Sequence, residues 1–160
     1  MKINMTPEQY GAKAQALFEQ GYNCAQAVVL AFDDLTGLDN KTAAMLASSF
    51  GGGMGRLREV CGAVSGMFAV AGILKGYDDP KAKEEKAEHY ALIQSLAGEF
   101  KKENGSFICR ELLELPGASK PIPEERTAEY YRRRPCGEYV RCAATILARA
   151  LEAPTTTKEK

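Results

Sequence analysis

The segment Val60 to Leu74, VCGAVSGMFAVAGIL, constrains the fold more than any other stretch of the chain. It carries no charge, and Val64, Met67, Phe68 and Ala71 recur at helical spacing on one side while Val70, Ile73 and Leu74 take up others. A helix that is apolar nearly all round has to be surrounded by other elements. It is also shorter than the about 20 apolar residues of a membrane crossing, and Cys61, Gly62, Ser65, Gly66 and Gly72 interrupt it. The segment is therefore read as the central helix of a globular domain.

The rest of the chain supplies the helices that cover it. Thr6, Pro7 and Gln9 form a start signal, followed by an apolar stripe of Tyr10, Ala14, Leu17 and Phe18 and a stop at Gly21. Asn23 and Gln26 open a second helix with Ala27, Val28, Ala31 and Phe32 inward, and Asp39 or Asn40 opens a third, with Met45, Leu46, Ser49 and Phe50 at helical spacing. Gly51, Gly52, Gly53 and Gly55 cannot continue that helix. A long helix is predicted from about Pro80 to Lys102, with Ile93, Leu96, Ala97 and Phe100 inward. A short one in NGSFICRELLELPG is capped by Ser106, and a last one is opened by Pro135. The segment 117–134 stays open, with room for one more short helix. No strand-like alternation persists beyond three or four residues, so the expectation is an all-α single compact domain of about six to eight helices over residues 1–152, with a disordered tail at 153–160.

With 21 basic and 21 acidic residues in 160, the chain lacks the basic excess of a nucleic-acid binder. The start MKINMTPEQY has no secretory pattern, which makes the cytoplasm the default location. In a reducing compartment five cysteines, an odd number, do not read as a disulfide framework. Metal binding or redox chemistry becomes the leading expectation.

Cys24, Cys61, Cys109 and Cys136 each fall in the first turn of a predicted helix, on its inward stripe. Unpaired backbone N–H groups and the positive end of the helix dipole favour a thiolate there, the species that ligates metal or attacks disulfides. Spacings of 37, 48 and 27 residues exclude paired C-x-x-C knuckles, so only the fold can bring the four together. Cys142, six residues after Cys136, points away from that face and is left out of the site. GGGMGRLR lacks the Lys-Ser/Thr of a phosphate loop and reads as a tight connection, His89 reads as solvated, and YYRRRP as an exposed basic run near Cys136.

The ordered segments GYNCAQAV, FGGGMGR, VCGAVSG, FICRELL and PCGEYV, from about Gly21 to Leu151, resemble the redox-active C_GCAxxG_C_C family, whose hallmark is four cysteines and a CGAxxG motif, here Cys61 to Gly66. The resemblance carries over the same four cysteines and makes Cys142 an extra. A similar domain in split-Soret cytochromes uses cysteines to hold an iron–sulfur centre beside haems. The chain has no C-x-x-C-H for covalent haem attachment, so no haem is expected.

Three readings follow. The first is electron transfer through an iron–sulfur cluster ligated by Cys24, Cys61, Cys109 and Cys136, with Gly52, Gly53 and Gly62 offering N–H groups or close backbone approach around it. The second is a thiol–disulfide redox protein using the same cysteines in reversible pairs. The third is a helical module with zinc-bound or simply buried cysteines. All three leave the redox partner unidentified, and a homodimer contact on one of the apolar faces stays open.

Overall fold

A computed structural model of the chain describes residues 1–153, and the expected tail from residue 154 on lies outside the described residues. The architecture is all-helical, as the periodicity predicts. The helices are α1 (Pro7–Glu19), α2 (Cys24–Ala31), α3 (Asp33–Thr36), α4 (Asn40–Ala47), α5 (Gly62–Lys75), α6 (Lys83–Asn104), α7 (Cys109–Leu112), α8 (Ala128–Arg133) and α9 (Cys136–Glu152). A 3₁₀ turn, Ser48–Phe50, and a glycine turn, Gly51–Met54, follow α4. The one helix beyond the expected six to eight is α3, a single turn directly after α2. The one β feature among the described residues is an isolated antiparallel bridge between Val60 and Ile108.

Helix starts follow the local chemistry. The Thr6 hydroxyl accepts from the Gln9 N–H at 3.2 Å while the Gln9 side chain accepts from the Thr6 N–H at 2.8 Å, and Asn23 and Gln26 repeat the reciprocal cap at α2. Each such cap is worth about 1 kcal/mol. The long helix begins at Lys83 rather than Pro80, because Pro80 holds Asp79 out of helical conformation and the Asp79 carboxylate takes the Lys81 N–H at 2.9 Å. Thr127 caps α8, the short helix that the open segment had room for.

Packing is organised by two helix pairs, α1 on α9 and α2 on α5. Tyr10, Ala14 and Phe18 of α1 and Val140, Ala144 and Leu147 of α9 are buried, and Val28 of α2 meets Val64, Met67 and Val70 of α5 in one continuous core. Burial of each such side chain contributes roughly 1.5–3 kcal/mol. The central-helix reading holds for the first three turns of α5; its last turn surfaces, leaving Ile73 41% exposed. Helix α4 departs further from expectation. Its inward residues are Ala43 and Ala47, whereas Met45, Leu46 and Phe50 face outward. Small alanines let α4 lie close on α2, and its larger apolar side chains are left on the outside. His89 is half-buried rather than solvated, edge-on to the Tyr77 ring at 6.1 Å, with Nδ1 lacking a partner.

Candidate functional site

Cys24 is the first residue of α2, fixed by the Asn23 cap, whose amide also donates to the Ser48 carbonyl at 3.1 Å and ties α2 to the end of α4. Cys61 is the N-cap of α5 and Cys109 the first residue of α7. These two are paired by backbone: the Cys61 N–H donates to the Phe107 carbonyl at 2.9 Å and the Cys109 N–H to the Glu59 carbonyl at 2.6 Å, either side of the Val60–Ile108 bridge. Cys136 opens α9 directly after Pro135. Helix starts converge here because each is delivered by a short, hydrogen-bonded connection rather than by a loop.

All four cysteines line one cavity of about 260 Å³, more than ten times the roughly 10–15 Å³ that one water needs. All are free thiols. Among the described residues, no three Cys, His, Asp or Glu side chains are gathered tightly enough around one point to hold a single metal ion. Cys142 lies elsewhere, its thiol donating to Glu103 at 3.1 Å and accepting from the Asn104 amide at 3.4 Å.

The glycines named from sequence sit against the cysteines. A Cβ on Gly62 would fall inside contact distance of Cys24 Sγ and 2.7 Å from the Phe50 carbonyl. Gly53, at φ +66°, faces Cys109: an added Cβ would stand 2.5 Å from the Cys109 Cβ and 2.9 Å from the Arg58 Cα. Gly52 and Gly53 take the left-handed conformation open to glycine, and Met54, Arg56 and Arg58 take it too. A side chain there costs about 1–3 kcal/mol, a strain that concentrates at functional sites.

Electrostatics act on the thiolate expectation from two sides. Burial pushes the Cys24 and Cys61 thiols up, and Cys136 up to about 12, in each case as the largest effect. The Gly52 amide works the other way at Cys24, and those of Ala63 and Val64 at Cys61, as expected at helix starts, but desolvation outweighs them. Burial therefore favours the thiol over the thiolate at these three positions.

Arginines supply the charge on the walls. Arg56, Arg58, Arg126 and Arg134 line the cavity together with the carboxylate of Glu124. Arg134 pairs with Glu124 at 2.6 Å and Arg133 joins it at 3.1 Å, so part of the basic run is neutralised. Arg126 stacks over Phe18 at 4.4 Å and Tyr130 at 4.9 Å and donates to the carbonyls of Phe18 and Tyr22. Arg58 is only 5% exposed and directs Nη1 to Cys109 Sγ at 3.6 Å. Sequence reasoning missed Arg126, because only the fold carries it from the open segment to Phe18. Arg56 and Arg58 were visible beside the glycines, with no sign that either faced a cysteine.

No curated protein and no solved structure gives a significant match to the chain. A family model does: residues 22–150 match the one described as "Putative redox-active protein (C_GCAxxG_C_C)". That match spans all four cavity cysteines and most of the chain, and the protein belongs to the C_GCAxxG_C_C family.

Proposed function

We propose that this is an electron-transfer protein in which Cys24, Cys61, Cys109 and Cys136 ligate an iron–sulfur cluster. The observation that carries the reading is the set of four thiols lining one cavity that is also walled by arginine. Four thiolates are the donor set of [2Fe–2S] and [4Fe–4S] centres, and their irons spread the ligands apart as one zinc ion does not. Such a centre supplies one-electron storage at a potential set by nearby charge, hydrogen bonds to sulfur and access of water.

The chain's own residues meet the other requirements. The thiols release their protons on ligation, which makes loading dependent on pH. The buried Arg58 guanidinium and the helix-start N–H groups face the resulting negative charge. Phe18, Leu112 and Tyr139 line the remaining wall with apolar surface that limits water. The thiol–disulfide alternative needs a ready thiolate, and burial disfavours one at three of the four positions.

The test is anaerobic purification and reconstitution with iron and sulfide, followed by iron, sulfide and zinc analysis. Bound iron and sulfide with visible absorption are expected, lost in Cys61→Ser and retained in Cys142→Ser. Colourless, iron-free protein overturns the proposal; thiols then lost reversibly in pairs on mild oxidation identify the disulfide chemistry instead.

A further inference from the structure

Arg58 is the only buried charged side chain among the described residues, and no carboxylate neutralises it. Glu59, next in sequence, is turned away and pairs with Arg110 at 2.9 Å, while Glu124 is taken by Arg133 and Arg134. Arg58 instead donates from Nε to the Ser119 hydroxyl at 2.9 Å and from Nη1 to Cys109 Sγ at 3.6 Å. A buried guanidinium without a counter-ion is costly, and a negative group in the adjoining cavity would offset that cost.

Its placement is fixed by backbone. Arg58 sits at φ +62°, a strained value for a side chain. Its N–H donates to the Gly52 carbonyl at 3.3 Å, and its carbonyl accepts from the Arg110 N–H at 3.1 Å. The glycine turn on one side and the start of α7 on the other therefore hold this residue against Cys109. Its charge also reaches Cys136, where it opposes the effect of burial.

We infer that Arg58 is a positioning residue that sets the reduction potential of the cysteine site, its guanidinium holding Cys109 Sγ and favouring the more negative, one-electron-reduced state. The inference rests on the cluster reading above. One electron, supplied by a reduced redox carrier and later passed to an oxidised one, makes the contents of the thiolate cage more negative by one unit and then less so. A fixed positive charge and an N–H···S contact stabilise the reduced state more than the oxidised one, so they raise the potential.

The experiment compares wild type, Arg58→Met and Arg58→Gln, each reconstituted anaerobically. Iron and sulfide content are measured first, and the midpoint potential is then taken by dye-mediated titration with dithionite. Comparable iron content with a lower potential in both variants is expected. Equal potentials in fully loaded proteins overturn the inference and leave the cluster reading intact, whereas a wild type without iron overturns both. Should Arg58→Met fail to fold, Arg58→Gln decides, because it keeps a polar side chain at the position while removing the guanidinium. An Arg58→Gln protein that is folded but takes up no iron also overturns the tuning role and assigns Arg58 to assembly of the site.

Discussion

At the scale of single residues, the site depends on glycines that no larger residue can replace. Gly53→Ala forces a side chain into left-handed backbone and against Cys109 and Arg58, and should destabilise by about 2–5 kcal/mol from strain and overpacking together. Gly98→Ala, in α6 with open space around it, should stabilise by about 0.5–1 kcal/mol. Urea unfolding of the pair checks both signs. Tyr10 gives a pH dependence. Its ring is fully buried and stacked on Phe32 at 4.6 Å, and its hydroxyl donates to Asp34 at 2.7 Å. Burial first, then that carboxylate, push its pKa up to about 12 from the ordinary value of 10.0. The stabilisation tied to the proton is therefore whole below pH 10 and lost between about pH 10 and 12. Tyr10→Phe should be less stable at neutral pH by about 1 kcal/mol and lose less stability than wild type over that alkaline window, as thermal melts at pH 7 and 11 would show.

At the scale of elements, caps couple stability to the site. Asn23 both starts α2 and anchors the 3₁₀ turn through Ser48, so Asn23→Ala should cost about 1–2 kcal/mol and also lower iron uptake by loosening Cys24. Melting and iron content measured on one preparation test the two effects, and a melting shift with unchanged iron would separate cap from site. Much of this level was legible in the sequence. Caps at Thr6 and Asn23, the central α5 and four cysteines at helix starts all follow from patterns confined to one turn or one stripe. What escaped depends on partners far along the chain. Met45 and Leu46 have the spacing of a buried face, but α4 has a neighbour only on its alanine side. Arg126 reaches Phe18, 108 residues away, and no local pattern encodes that contact. The weight of burial against a thiolate was missed for a related reason: N–H groups at a helix start are visible in the sequence, whereas the depth of burial that opposes them is a property of the packed cavity.

At the scale of the whole molecule, the cavity exists only when four separate helix starts are in place. A cluster that binds the folded chain and not the unfolded one raises global stability by mass action. On the proposed cluster reading, stripping iron with a chelator under anaerobic conditions should therefore lower the melting temperature of the entire domain, not of one segment, and reloading should restore it. Scanning calorimetry of the two forms reads this directly, and identical transitions would argue against ligation by cysteines from separate helices. The same spread of cysteines has a consequence in time. Cys136 follows Cys24 by 112 residues, so at about 5–20 residues per second of synthesis the first thiol waits some 6–22 s for the last. During that interval Cys24 and Cys61 lack the wall that α9 provides, and the nascent chain presents an incomplete thiol set to any oxidant or stray metal it meets. Protection of these thiols is thus a matter of ribosomal pace as much as of the finished fold.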